Sequence, residues 1–277
     1  MLKTLQLATL LLAGLLVFGI AALNDNAGAD DNGTQDLAKQ SQNPVSDLIS
    51  VPFENNLNFT AGTEDAYVNI LNVKPVLPVR IAENWNLINR AIIPIVYQGE
   101  RFPGEGSEFG LGDITYQGFV SPAKPGKLIW GVGPALVMPT GSDRRMTSDK
   151  WSAGPAAVGL AMPGQWVLGA LAQNVWSIGG ASDSNAPDVN QFLLQYFINY
   201  NMKGGWYLTS APTITANWEA DDSDDRWTVP FGAGFGRVFK IGKQPVNVKL
   251  AAYWNAEKPR WAADWNVQLQ MTFLFPK

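Results

Sequence analysis

Beyond residue 48 the chain is built from runs in which apolar and polar side chains alternate, the period of strands whose two faces meet different surroundings. The clearest run sets Val246, Val248, Leu250, Ala252 and Trp254 against Asn247, Lys249, Tyr253 and Asn255. The last run sets Trp265, Val267, Leu269, Met271, Phe273 and Phe275 against Asn266, Gln268, Gln270 and Thr272. In the same way Phe192, Leu194, Tyr196, Ile198 and Tyr200 oppose Gln191, Gln195, Asn199 and Asn201. The polar faces carry mostly Asn, Gln, Thr and Gly, where a soluble sandwich facing bulk water would carry charge. A confined, hydrated lumen suits such a face, and lipid suits the other.

Together these runs predict twelve strands, at residues 50–60, 67–80, 85–98, 111–121, 127–138, 150–162, 165–177, 189–202, 205–218, 226–239, 244–255 and 262–275. The number is even, as bacterial single-chain barrels require. The tryptophans add an independent sign, because Trp prefers membrane-water interfaces and a spanning barrel wears two aromatic girdles. Trp85, Trp130, Trp166 and Trp206 open runs that follow short turns, whereas Trp151, Trp176, Trp218, Trp227, Trp254 and Trp261 border longer polar loops. The turns near Ala82, Pro125, Pro163, Lys203 and Gly242 are compact, as periplasmic turns should be, and longer external segments alternate with them. Pro75, Pro94, Pro134, Pro155, Pro212 and Pro230 fall inside the runs, and each removes a ladder donor. They predict bulges, with a kinked wall that opens a lateral gap as the lesser reading.

The N-terminus alters the picture. Lys3, the Leu-rich run to Leu23 and the small residues Ala27-Gly28-Ala29 read as a signal peptide over 1–29, removed on export. Residues 30–47 are polar, with a weak amphipathic patch at Leu37 and Ala38, and are expected to form a periplasmic extension or a plug entering the lumen. Residues 48–277 are the barrel. No other run approaches a spanning helix in length, so a membrane location requires a closed barrel, which pairs every backbone N–H and C=O internally. A mean hydropathy of -0.05 hides this, since inward and outward residues average out.

Histidine and cysteine are both absent from the 277 residues. That removes the Ser-His-Asp triad, thiolate chemistry and the usual zinc ligands, so no catalytic residue, metal or cofactor is assigned. The loop cluster Glu219, Asp221, Asp222, Asp224 and Asp225 lacks the spacing of a calcium loop and reads as a solvated, self-repelling segment. Arg144, Arg145 and Lys150 lie in another external loop, where they either contact lipopolysaccharide phosphates or stay solvated. Inward positions supply the candidate lumen lining: Glu54, Asn56, Asn58, Lys74, Arg90, Asp113, Gln117, Lys249, Gln268 and Gln270. Charges there either line a permeation path or pair off in a network that closes the barrel. Gly131, Gly133, Gly232, Gly234 and Gly236 permit the wall to curve, with room left in the lumen as the lesser reading, and Phe119, Leu193 and Phe197 add apolar surface.

The segment Ser41-Gln42-Asn43-Pro44-Val45-Ser46-Asp47-Leu48-Ile49-Ser50-Val51-Pro52-Phe53-Glu54-Asn55-Asn56 and the ending Met271-Thr272-Phe273-Leu274-Phe275-Pro276-Lys277 carry a resemblance, as do Gly110-Leu111-Gly112-Asp113-Ile114 and Pro139-Thr140-Gly141. They resemble a family of Gram-negative outer-membrane transporters named for the meta pathway of phenol degradation, some of which bear the misapplied label neuromedin U. The resemblance implies an outer-membrane barrel connected with uptake of aromatic compounds, and it brings no catalytic residues. Pro276 and Lys277 after Phe275 depart from the aromatic ending that the barrel-insertion machinery reads in many such proteins.

The expectation is therefore an all-β, antiparallel, up-and-down transmembrane barrel of about twelve strands in the outer membrane. It passes small hydrophobic or aromatic solutes without covalent chemistry. The alternative is a structural barrel with a closed lumen that interacts with lipopolysaccharide or partner proteins. Outer-membrane lipid, the insertion machinery and a small hydrophobic solute are the expected partners, and nucleic acid is not.

Overall fold

The computed structural model describes residues 31–180 and 186–276, so the expected signal peptide over 1–29 lies outside the described residues. One helix, α1 (Asp31–Ser41), precedes fifteen strand segments. These are β1 (Ile49–Ala61), β2 (Ala66–Val73), β3 (Val76–Ala82), β4 (Trp85–Gln98), β5 (Glu108–Leu111), β6 (Ile114–Pro122), β7 (Leu128–Met138) and β8 (Trp151–Ala161). There follow β9 (Trp166–Gly179), β10 (Asn190–Asn201), β11 (Trp206–Ser210), β12 (Thr213–Asn217), β13 (Trp227–Ile241), β14 (Gln244–Glu257) and β15 (Trp265–Phe275). Three pairs, β2/β3, β5/β6 and β11/β12, are single spans with a short interruption, which leaves twelve antiparallel spans. Each span pairs with the next in sequence, and β1 pairs with β15 from Ile49↔Phe275 to Phe59↔Trp265, closing the sheet on itself.

Closure removes the open sheet edges that hydrocarbon does not tolerate. The uninterrupted spans of eleven to fifteen residues suit a crossing that needs about 9–11 tilted residues. The alternation sorts side chains as expected. Phe231, Phe235, Leu250 and Val267 are exposed on the outer surface, while Gln268 and Asn247 are buried within. At the end that carries the short turns, Trp85 packs edge-on against Trp130 at 5.9 Å. At the loop end Trp218 packs against Trp227 at 5.4 Å, and Trp254 stands opposite Trp265. Tryptophans thus cluster at both ends of the spans. Trp261 lies in the last loop, against Phe102 at 5.7 Å.

The prolines explain where the wall is irregular. Pro75 and Pro212 sit in the gaps between β2 and β3 and between β11 and β12. Pro134 and Pro155 face each other across β7 and β8. On their other sides the ladders lapse, between Gln117–Ala135 and Val120–Val132 and between Ala153–Trp176 and Ala156–Gln173. The missing N–H therefore falls where no partner is lost. Beside them the strands press close: a Cβ on Gly133 would stand 1.7 Å from the Gly118 carbonyl oxygen, so only glycine fits there. Pro230 sits at a register shift between β13 and β14.

The N-terminal segment enters the barrel from the end that carries the short turns. Ala38 of α1 and Leu48 are buried against Val238 and Leu274. Gln42 and Asn201 exchange amide hydrogen bonds at 2.9 and 3.1 Å, and Asn247 Nδ2 donates to Ser41 Oγ at 3.0 Å. Val45 reaches further, into an apolar cluster inside the lumen that includes Ile88, Phe119, Leu160 and Phe197.

Candidate functional site

The inward residues divide the lumen into two walls. Strands β14, β15, β1 and β2 turn amides and charges inward. In register, Lys249 lies opposite Gln270, Gln270 opposite Glu54 and Glu54 opposite Asn72, so one row crosses four strands. Lys74 sits just past the end of β2, and its Nζ meets Glu54 Oε1 at 2.5 Å. Asn56 Nδ2 donates to the same carboxylate oxygen at 3.1 Å. Towards the loop end the row continues as an amide ladder. Gln268 Nε2 donates to Asn56 Oδ1 at 2.9 Å, Asn266 Nδ2 to Asn58 Oδ1 at 3.0 Å and Asn58 Nδ2 to the Val68 carbonyl at 3.1 Å.

The opposite wall, from β4 through β10, is largely apolar. Ile88, Phe119, Ala135, Ala156, Val158, Leu160, Val167, Leu171, Val175 and Phe197 form one buried cluster along it. Alternation alone places them inside, because each shares its face with an inward neighbour: Phe119 is paired with Ile88, and Leu171 with Gln195. Buried polar residues interrupt this wall, among them Gln117 and Gln173, with Gln117 Nε2 donating to Gln173 Oε1 at 2.5 Å.

Between the walls, above the N-terminal segment, lies a cavity of about 140 Å³. Gln40 to Pro44 and Ser46 form its floor. Glu54, Lys74, Val76, Arg90, Lys249 and Gln270 line one side, and Phe197, Tyr207 and Ala211, interleaved with Gln195, Asn199, Thr209 and Asn247, line the rest. Two wall interruptions adjoin it, since Lys74 and Val76 flank Pro75 and Ala211 precedes Pro212. Tyr207 is nearly fully buried, and its hydroxyl donates to Asn247 Oδ1 at 2.7 Å. Its ring lies over Gly236, where an added Cβ would stand 2.3 Å from the ring.

Five of the ten lumen candidates, Glu54, Lys74, Arg90, Lys249 and Gln270, thus meet at one cavity, and Asn56, Asn58 and Gln268 form the ladder above it. Gln117 lies on the other wall. Asp113 is held elsewhere: it sits in the gap between β5 and β6 and accepts hydrogen bonds from the Gly141 amide at 3.1 Å and the Ser148 amide at 2.7 Å. It anchors the external loop that joins β7 to β8. Tyr207, Asn199, Asn247 and Gln173 share the inward face of their strands and were absent from the candidates, although the alternation around Leu208 and Thr209 marks Tyr207 as inward. For Gln42 and Val45 no local pattern signals an inward position.

The external loops are tied to one another. Arg145 donates to Asp143 at 3.0 Å and to Glu108 at 2.7 Å, and Lys150 donates to Asp188 at 2.6 Å. Hydrogen bonds from Arg145 hold the Asp143 carboxyl below its ordinary range, and Lys150 does the same for Asp188. In the acidic loop Asp222 accepts from the Asp224 amide, and Asp225 from the Arg260 amide at 2.6 Å. Among the described residues no three carboxylates gather as a metal site.

A family model and one solved channel agree with this architecture. The family model described as "Putative MetA-pathway of phenol degradation" matches residues 24–271. An outer membrane channel from Pseudomonas putida F1 superposes with a TM-score of 0.63 at 16% identity, over 82% of this chain and 94% of that one. The outer membrane phospholipase of Salmonella typhi superposes with a TM-score of 0.42 at 13% identity, over 90% of this chain and 99% of that one. A FadL homologue from Pseudomonas aeruginosa gives 0.36 at 13% identity, over 76% and 67%. Among curated proteins none matches.

Proposed function

The chain belongs to the phenol-degradation family of outer-membrane barrels, and from that premise we propose that it is a non-enzymatic channel for small aromatic or other hydrophobic solutes. The observation that carries the reading is the lumen cavity, where the charged row of Glu54, Lys74, Arg90 and Lys249 shares one space with Phe197, Tyr207 and Ala211. Such a site accepts a ring on one side and a polar substituent on the other. Passage to the periplasm requires residues 40–46 to shift, because they floor the cavity. A lateral route through the wall beside Pro75 or Pro212 would instead release a hydrophobic solute into the bilayer. The absence of histidine supports a role without catalysis, since it removes the commonest general base.

The test is solute flux into proteoliposomes together with single-channel recording in planar bilayers, using the mature chain and a form lacking residues 31–47. The reading expects aromatic-solute flux above that of protein-free vesicles, and larger current steps after truncation. Flux equal to the protein-free control in both forms would overturn it. That result would favour the structural alternative, for which the apolar packing of Val45 against the wall is the supporting observation.

A further inference from the structure

The charges around the cavity do not balance. Its lining contains three cations, Lys74, Arg90 and Lys249, and a single carboxylate, Glu54. Lys74 and Asn56 already engage that carboxylate through one oxygen. Arg90 projects from β4, on the far side of the β2/β3 span from Glu54, and its Nη1 is buried without a hydrogen-bond partner. Lys249 rises from β14, where Gly236 stands opposite it and the Tyr207 ring lies over that glycine, so the ring and the ammonium border the same space. A confined site holding two excess positive charges is costly unless an anion joins it.

We propose that this cavity binds a small aromatic carboxylate, its carboxylate held by Arg90 and Lys249 and its ring laid towards Phe197 and Tyr207. The inference rests on the channel reading and names the solute class. Arg offers a planar fork that matches a carboxylate, and charge-assisted hydrogen bonds of this kind are stronger than neutral ones. The volume suits one ring, for an apolar cavity of about 150 Å³ holds benzene. Neutral phenols would use the apolar side alone and leave the excess charge unanswered.

Full-length protein in detergent is titrated calorimetrically with benzoate, with benzamide as its neutral counterpart, and with sodium chloride at matched ionic strength. Benzoate is expected to bind one to one, and benzamide about tenfold more weakly or worse. Arg90→Gln and Lys249→Gln should each weaken benzoate by about tenfold or more and leave benzamide unchanged, with Lys249→Arg retaining most of the affinity. Heat-modifiable mobility confirms that each variant is a folded barrel, and the Lys249 pair carries the test if Arg90→Gln does not fold. Equal binding of benzoate and benzamide, or benzoate affinity indifferent to both substitutions, overturns the proposal. Chloride that displaces benzoate at equal concentration also overturns it, leaving a bulk-anion site only. Phenol flux separates the two readings. Phenol crossing without benzoate binding sinks the anion site and spares the channel, whereas benzoate binding without flux of any solute does the reverse.

Discussion

The two walls of the lumen solve the same problem, filling the inside of a closed sheet, in opposite ways. From β4 to β10 the inward side chains pack like the core of a soluble protein: Phe119, Ile88, Leu160 and Val167 are essentially inaccessible, and Val45 of the N-terminal segment joins them. From β14 to β2 the inward side chains are amides and charges that satisfy one another in ladders across the register. Apolar packing is non-directional and insists on volume, so that wall resists change of shape. Hydrogen-bonded side chains can exchange partners with water or solute at little net cost, so the other wall is the one able to receive a ligand. The cavity lies where they meet.

Substitutions should expose this asymmetry, the largest effect first. Phe119→Ala empties the apolar wall and should cost roughly 3–5 kcal/mol, the usual range for deleting a buried ring. Urea unfolding in lipid vesicles would measure it, and a loss below 1 kcal/mol would show the wall to be loosely filled. Leu250 and its neighbour Lys249 face lipid and lumen respectively. Leu250→Arg should therefore cost roughly 2–4 kcal/mol by the same assay, whereas Lys249→Arg should be nearly neutral. Equal costs would mean that the assigned faces are wrong. On the polar wall Gln268→Ala removes one amide bond to Asn56 and should cost only about 0.5–1.5 kcal/mol. A cost as large as that of Phe119→Ala would erase the distinction between the walls.

The smallest effect lies in the external loops. Asp143, Asp188 and Asp264 all have carboxyls held below their ordinary range by hydrogen bonds, the first from Arg145, the second from Lys150 and the third mainly from Thr60 and then Lys258. A depressed carboxyl contributes to loop order above its unperturbed value of about 3.9 and loses that contribution as pH falls through its lowered value. Hydrogen exchange in the loop of residues 139–150 should therefore stay slow from neutral pH down to about 4 and quicken below it, while the strands stay protected. These groups are exposed, so the change should be modest. Loop exchange with no pH dependence beyond the intrinsic rate would show that the ion pairs do not order it.

Much of this molecule was legible before its fold. The alternation of Val246 to Trp254 and of Trp265 to Phe275 placed Lys249, Gln268 and Gln270 inward, and the girdle tryptophans placed the ends of the spans. Each of these is a local property, set by a side chain meeting either lipid or lumen within its own strand. Less legible was the meaning of single inward charges. Asp113 has the inward parity of Gln117, yet the interruption after Gly112 turns it to the loop amides of Gly141 and Ser148. The prolines predicted irregularity without saying which would break a span. Pro75 and Pro212 did, while Pro134 and Pro155 lie where the neighbouring ladders lapse and leave their strands continuous.

By itself the sequence determined the strand number, the faces and the membrane habit, because a period of two and interfacial aromatics depend on nothing beyond a residue's immediate surroundings. Only the tertiary structure decided what the lumen contains. Residues 31–48 carry no alternation, and their place inside follows from the closed barrel that receives α1 and Val45. Likewise, Glu54 and Lys249 become near neighbours only because β1 pairs with β15 across nearly the whole length of the chain. That closure brings three cations to one carboxylate, and it is a long-range contact that no local pattern encodes.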